Sequence, residues 1–408
     1  MPEVPKPRSA ADVEALVRWA IAEHKSLEVV GRGSKRSIGR PAQSDATLDL
    51  SGLSGITLYE PEELVLSARA GTPLADIETL VASRGQELAF EPADYGPLLG
   101  VRAGQGSIGG VLAGNLSGPR RIKAGAARDH FLGFSGVSGR GDTFKSGGRV
   151  VKNVTGYDLC KLMAGSWGTL AVMTDVTIKT LPKSETEATI VVQGLADAAA
   201  MSAMAAAMGS AYDVSGAAHL PARIARQFLA DFPAGQAVTA FRLEGVEPSV
   251  KHRIQTLGAV AKAFGPPAML DTARSRTLWR AIRDVLPFAA HGPLGARPVW
   301  RVSVAPMRGA EVGHMISAAG SGEIFYDWAG GLVWAAMPPS DDAGEAVVRP
   351  AAEAAGGHAT LIRAPVAIRA IVPVFGPQEG ALAALTGRVK DSFDPTGVLN
   401  RGRMWAGF

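Results

Sequence analysis

The chain has 408 residues, 47% hydrophobic and 20% charged, with a formal net charge of +4. That length exceeds one ordinary core, so the sequence predicts two domains or a large domain with an inserted partner, and the composition excludes wholesale disorder. The charge is mild and the Lys and Arg residues are scattered, which excludes a nucleic-acid stripe and suits a small anionic ligand.

In chain order, Ser9 with Asp12 has the spacing of a capping box, and Val13, Leu16, Val17, Ala20 and Ile21 follow at helical period, predicting a helix over 10–23. Leu27 to Val30 reads as a strand that runs into the loop GRGSKRSIGRP at 31–41. Thr47–Leu50, Ile56–Glu60 and Leu64–Arg69 read as strands. Thr72 is expected to cap a helix with Pro73 at its first position, stopped by Gly85. Residues 98–118 are dense in glycine, and Ala171–Thr180 alternates like a half-buried strand before Pro182 closes the unit.

Past residue 183 the pattern changes. Ala188–Gln193 reads as a strand, 196–209 as a helix and Val238–Leu243 as a strand. From 298 to 364 the order is strand (Pro298–Val304), helix (Gly309–Ala318), strand (Glu323–Asp327), strand (Leu332–Ala336), helix (Asp341–Ala355), strand (Ala359–Ile362), the split β-α-β of a ferredoxin-like unit. Part of that order recurs in 188–264 without a sequence repeat. The tail FDPTGVLNRGRMWAGF reads as a docking segment. The expected division is 1–183, 184–370 and 371–408.

GQGSIG at 104–109 satisfies G-x-G-x-x-G, yet it lacks the buried strand before it and a sustained helix after it that a Rossmann fingerprint needs, so 98–118 is expected to be a loop system. Glycine-rich stretches at 31–39 and 104–118 instead offer backbone N–H groups for a pyrophosphate, with Lys35 or Arg36 to balance its charge. Each stretch alone also reads as an ordinary surface turn.

These stretches and residues 128–179 follow one another as the FAD-contacting segments do in the vanillyl-alcohol-oxidase (PCMH-type) flavoproteins. The sequence resembles that family, and within it the FAD-binding subunits of bacterial glycolate oxidases, through LSGPRR with AGAARD at 116–129, KNVTGYDL at 152–159, MAGSWGTLAV at 163–172 and FDPTGVLNRGRM at 393–404. The resemblance covers the first 183 residues and the tail, and the middle only weakly.

It implies an α+β fold: a PCMH-type FAD-binding domain of two subdomains (1–183), a ferredoxin-like α+β cap for the substrate (184–370), and a C-terminal segment returning to the FAD domain. Carried over by position, it places Arg32, Gly33, Ser34, Lys35, Arg36 and Ser37 at the pyrophosphate. Gly106, Ser107, Ile108, Gly109, Gly110, Ala113, Gly114, Leu116, Ser117 and Gly118 fall beside the pyrophosphate and isoalloxazine. Arg128 and Asp129 lie nearby, Gly168 and Val172 against the adenosine half, and Asn400 near the ring. Val172 reads equally as a strand residue facing the core.

With no histidine in the first loop and Cys160 in an apolar helix, FAD is expected to be non-covalent, and the lone cysteine excludes a disulfide or an iron–sulfur site in this chain. The seven histidines are dispersed, so no metal site is expected. Oxidising a 2-hydroxy acid needs a cation for the carboxylate and a base for the hydroxyl. Arg120, Arg121 and Lys152 are the preferred cations, and His358 reads first as a structural histidine and second as a group facing the flavin. Arg301 and Arg363 read as ion-pair arginines, with carboxylate forks the alternative.

Three functions stay open: a subunit of a glycolate oxidase complex, with a second FAD-binding catalytic subunit and an iron–sulfur subunit as partners; a self-sufficient oxidase or dehydrogenase of another hydroxylated substrate; or a scaffold that keeps the fold without flavin. No run of about 18 apolar residues occurs, so the chain is expected to be cytoplasmic, or peripheral at the inner face of a membrane through its partners.

Overall fold

The computed structural model describes residues 5–149, 156–227 and 235–407, which divide into two compact units. The first takes Met1–Ser117, Gly125–Lys183 and Pro373–Phe408; the second takes Ser184–Val372 and borrows Gly118–Ala124 from the middle of the first. No helix among the described residues is long and apolar enough to cross a membrane.

The first unit opens with the helix Ala10–Ala22. Ser9 Oγ accepts from Asp12 N at 3.1 Å and the Asp12 carboxylate accepts from Ser9 N at 3.0 Å, the reciprocal cap that the spacing predicts. Its Val13, Val17 and Ala20 are fully buried against Leu27, Leu48, Val137, Val172 and Leu399, which ties the N-terminal helix to the sheet and the tail. Burial of each valine contributes roughly 1.5–3 kcal/mol.

β1 (Leu27–Val30) and β2 (Ala46–Asp49) form a parallel pair. β3 (Ile56–Glu60), β4 (Val65–Arg69), β6 (Phe131–Ser138), β7 (Thr143–Gly147) and β8 (Ala171–Lys179) form an antiparallel sheet in the order β3-β4-β8-β6-β7, and β5 (Gln86–Glu87) pairs with β9 (Leu181–Pro182).

Two local expectations fail in this unit. Thr72 does not cap the helix Leu74–Ala82: its hydroxyl donates to Arg69 O at 2.6 Å and accepts from Gly55 N at 3.0 Å, closing the β3–β4 corner, and Pro73 takes the cap position without a side-chain bond. The stretch 98–118 is not loop throughout, because Ser107 Oγ accepts from Gly110 N and starts a helix over Ile108–Ala113. Six residues remain far short of a Rossmann helix.

The second unit carries β10 (Thr186–Gln193), β11 (Gly216–Leu220), β12 (Val238–Gly245), β13 (Pro267–Leu270), β14 (Val299–Ser303), β15 (Glu323–Asp327), β16 (Leu332–Ala336) and β17 (His358–Arg363) in one sheet, ordered β13-β10-β12-β11-β15-β16-β14-β17. With the helices Asp197–Met208, Glu247–Lys262, Gly309–Gly320 and Glu345–Ala354, each half runs β-α-β-β-α-β. Numbered within its half, each reads 4-1-3-2 from its outer edge, and the halves meet through their second strands at His219 and Tyr326. The duplication is therefore complete in structure. The helix expected from Asp341 begins at Glu345, since the Asp342 carboxylate accepts from Gly344 N and Ala346 N in a preceding turn.

The tail returns to the first unit. Leu27 N donates to Val398 O at 2.7 Å and Asn400 N to Leu27 O at 2.9 Å, setting Leu399 beside β1. Below it, buried Lys390 Nζ donates to Thr169 O at 2.7 Å, Asp394 Oδ2 at 2.6 Å and Leu399 O at 3.2 Å, while Asp394 accepts from the amides of Val398 and Leu399. Removing one partner strands a buried charge, at a cost of about 3–5 kcal/mol. Asp394→Ala is expected to lower the unfolding free energy by about that amount in urea titrations; a loss under about 1 kcal/mol contradicts a structural role for the pair.

Candidate functional site

A half-open cleft lies in the first unit. Three chain stretches build it: the end of β1 with its loop (Val29–Arg36), the helix start (Ser107–Ala113), and the turn into β8 (Trp167–Met173), with Arg403 from the tail.

The loop after β1 supplies the donors. Among the described residues, the amides of Arg32, Gly33, Ser34 and Lys35 have no protein acceptor, and Gly33 sits at φ +79. Consecutive amides in such a turn form a concavity for an anion. Lys35 Nζ donates to Ser34 Oγ at 3.0 Å and lies beside Gly110. Burial pushes its pKa down to about 8; Asp94 opposes the shift and Arg403 adds to it. Arg403 Nη2 donates to Lys35 O at 2.9 Å, and its guanidinium lies 5.4 Å from the Trp167 ring centroid. These groups fit a diphosphate.

The second glycine stretch supplies space, and the amides that start its helix are paired within the protein. Ile108 N donates to Thr72 O at 3.0 Å, Gly109 N to Ala70 O at 2.9 Å, and Gly110 N to Ser107 Oγ at 3.3 Å. A Cβ on Gly109 would fall 2.7 Å from Ala70 O, and one on Gly31 only 2.2 Å from Ser107 Oγ. Glycine lets the two walls close on each other.

The third wall is set by the tail. Asn400, buried, accepts from Val29 N through Oδ1 at 2.8 Å and donates from Nδ2 to Trp167 O at 2.8 Å. Trp167 and Asn400 both take left-handed backbone, at φ +54 and +44. A Cβ on Gly168 would meet Asn400 Nδ2 at 2.8 Å.

Of the residues singled out from the sequence, Arg32, Gly33, Ser34, Lys35, Arg36, Ser107, Gly109, Gly110, Ala113 and Gly168 line this cleft. Arg36 is also paired with Glu28, which raises its pKa. Ser37 is exposed, away from the wall. Gly106, Ile108, Gly114, Leu116 and Ser117 stand behind it: Gly106 O accepts from Leu74 N, Ile108 is fully buried, Gly114 packs near Trp167, Leu116 is buried, and Ser117 Oγ accepts from Ala127 N. Arg128 and Asp129 are exposed in a capping turn, where the Asp129 carboxylate accepts from Ala126 N and pairs with Lys161 at 3.5 Å. Val172 faces the hydrophobic core while its neighbours Ala171 and Met173 reach the cleft. Asn400 positions two walls and is absent from the lining.

Trp167, Arg403 and Ala70 were not singled out, whereas Gly31 opens the glycine-rich stretch at 31–39. Arg403 and Trp167 had a signal in the motifs at 393–404 and 163–172; Ala70 had none.

Among the described residues no histidine or cysteine lines the cleft. Cys160 is buried, and burial pushes its thiol pKa up to about 12, so it remains protonated. No group of three or more His, Cys, Asp or Glu is arranged to hold a metal among the described residues.

The candidate catalytic cations fall in the second unit or out of view. Arg120 is spent on a buried bidentate pair with Glu244, at 2.7 Å from Nη2 and 3.0 Å from Nε, and Gly118 O accepts from Trp328 Nε1 at 3.0 Å. Arg242 and then Arg120 hold the Glu244 carboxyl near 2, although burial alone would raise it. Arg363 donates to Leu294 O and Arg297 O, each at 2.9 Å, binding a loop in place of a carboxylate. Arg121 and Arg301 lie over the Trp328 ring, and His358 is exposed at the start of β17. Lys152 lies outside the described residues.

The FAD binding domain family matches residues 3–147. The chain is 34% identical over 397 residues to the glycolate oxidase subunit GlcE of Escherichia coli, covering 96% of this chain and 95% of that protein. It is 25% identical over 339 residues to the glycolate oxidase subunit GlcD of Bacillus subtilis, covering 79% and 68%. A D-lactate dehydrogenase of Archaeoglobus fulgidus is 31% identical over 190 residues, 44% of this chain and 39% of that one. Among solved structures, p-cresol methylhydroxylase with bound substrate superposes at a TM-score of 0.74 and 14% identity, over 98% of this chain and 88% of that chain. Alkyldihydroxyacetonephosphate synthase gives 0.66 at 16% identity over 97% and 75%. The chain belongs to the family of the glycolate oxidase subunit GlcE, FAD-binding oxidoreductases of CH–OH groups with the PCMH-type fold.

Proposed function

We propose that this chain is the E-type flavoprotein subunit of a glycolate oxidase complex, holding FAD non-covalently in the cleft of the first unit. The observation that carries the reading is the loop Arg32–Lys35, whose amides lack protein acceptors beside a half-buried lysine, within a chain matched along nearly its whole length by a glycolate oxidase subunit. In this reading the Arg32–Lys35 amides, Lys35 and Arg403 hold the diphosphate, while Gly31, Gly109 and Gly110 admit the cofactor's main body. FAD bound there supplies the two-electron acceptor for a CH–OH bond. The second unit is the cap that takes the 2-hydroxy acid.

The subunit reading, with a second flavin-binding subunit and an iron–sulfur subunit as electron partners, rests on the names of two relatives, both called subunits. It also fits a chain whose single cysteine is buried and protonated. Any membrane association would be peripheral, through those partners. A self-sufficient oxidase remains the rival.

Acid precipitation separates covalent from non-covalent flavin: yellow colour is expected in the supernatant, and colour retained in the pellet contradicts the reading. Anaerobic glycolate is expected to bleach the flavin of the isolated chain, and sustained turnover with an external acceptor is expected only once the partner subunits are added; sustained turnover by the isolated chain supports the rival.

Lys35 sets a pH dependence. Its pKa of about 8 in the free protein rises when a diphosphate sits beside it, so FAD binding takes up a proton above that pH. Affinity is expected to be flat below about pH 8 and to fall by at most about tenfold per unit above it. Lys35→Met is expected to be weaker and flat, as read by flavin fluorescence titration. Gly109→Ala forces a Cβ against the Ala70 backbone, at about 1–3 kcal/mol, and is expected to raise the FAD Kd roughly tenfold.

A further inference from the structure

On the outer strand pair β14–β17 one face of the second half-sheet is polar, whereas Leu332, Trp334 and Phe325 keep the same face apolar and buried on β16 and β15. Register pairs Arg301 of β14 with Thr360 of β17, and Ser303 with His358. Side chains directly opposite in an antiparallel pair share a face, and so do residues two apart on one strand. Arg301, Ser303, His358 and Thr360 therefore project together, and all four are partly or fully exposed. The opposite face of the same strand, with Trp300 and Val302, is fully buried.

The borrowed segment Gly118–Ala124 adds a second guanidinium to this arrangement. Arg121 lies 4.3 Å and Arg301 4.9 Å from the centroid of the same indole, Trp328. The ring is fixed: it is buried, its Nε1 donates to Gly118 O at 3.0 Å, and its amide donates to Asp327 Oδ1 at 2.7 Å. Its turn is also strained, because Trp328 and Ala329 both take left-handed backbone, at φ +52 and +56, where glycine or asparagine is the usual occupant. Strain of this kind persists where surrounding structure enforces it, and it collects at ligand sites.

Arg301 has no acidic partner among the described residues, nor has His358. Partial desolvation of the His358 ring, whose edge stays exposed, lowers its pKa, with Arg301 and Arg121 adding to the effect, which favours the neutral imidazole and leaves it a hydrogen-bond acceptor. Two like charges gathered on one aromatic ring, with hydroxyls and an accepting imidazole on the adjoining strands, match a small anion that also carries a hydroxyl.

We infer that Arg121 and Arg301, carried on Trp328, form the carboxylate subsite of the second unit, with His358 accepting from the hydroxyl of the bound 2-hydroxy acid. The assignment rests on the proposed reading of this unit as the substrate cap.

The test is calorimetric binding of oxalate, a carboxylate that cannot donate a hydride, to the full-length FAD-loaded chain. The flavin spectrum and stoichiometry are read in parallel. Arg301→Met and Arg121→Met are each expected to weaken oxalate at least tenfold with the flavin content unchanged, Arg301→Lys is expected to recover part of the loss, and sulfate is expected to bind far more weakly. Unchanged oxalate affinity in both variants, no oxalate binding by the parent chain, or sulfate binding equal to oxalate overturns the subsite. Should a variant misfold, phenylglyoxal modification of the parent chain decides: oxalate is expected to protect Arg121 and Arg301, and modification at undiminished rate overturns the assignment. Failure of the chain to take up FAD instead removes the functional reading itself, so the two failures are distinguishable.

Discussion

Asn400 makes two hydrogen bonds with one carboxamide, to Val29 N and to Trp167 O, and the shape of the cleft depends on them. Val29 lies in the strand that feeds the donor loop, and Trp167 begins the turn that forms the opposite wall. They are joined by a residue 371 positions from the first and 233 from the second. The site therefore requires the tail: Leu399 beside β1, and the Lys390–Asp394 pair beneath it, hold the carboxamide where both walls can be reached. Asparagine suits the position because it tolerates the left-handed backbone that Asn400 adopts.

Around that clamp the two glycine-rich stretches divide the work. The first leaves the amides of Arg32–Lys35 without a protein acceptor and brings Lys35 into a partly desolvated position, where its charge is costly without an anion. The second spends its first amides on Thr72, Ala70 and Ser107, and uses the missing side chains of Gly109 and Gly110 to bring a helix against β4 and Lys35. Glycine thus serves a different purpose in each.

Much of this was legible locally. The capping box at Ser9, the strand Leu27–Val30 and the β-α-β-β-α-β order of 298–364 follow from spacing and period alone, and the structure keeps them within a few residues. Long-range pairing was not legible. Nothing near Arg120 announces Glu244, 124 residues away, so a consumed charge read as an available one. Val172 was ambiguous for a similar reason: Ala171 to Thr174 are all buried, so alternation no longer tells core from cleft. Arg403 and Trp167 meet only after the tail has docked. The left-handed turn at Trp328 had no composition signal beyond Gly330 and Gly331 after it.

The second unit shows how a weak sequence signal hides a strong structural one. Two ferredoxin-like halves share no recognisable repeat, yet their sheets join edge to edge through matching strands. The central claim concerns the first unit, and hydrogen exchange of the apo chain with and without FAD, resolved by peptide mass spectrometry, tests it most directly. The account expects slowed exchange at Val29–Arg36, Trp167–Met173 and around Arg403. Flavin uptake without protection of the Val29–Arg36 loop would contradict it.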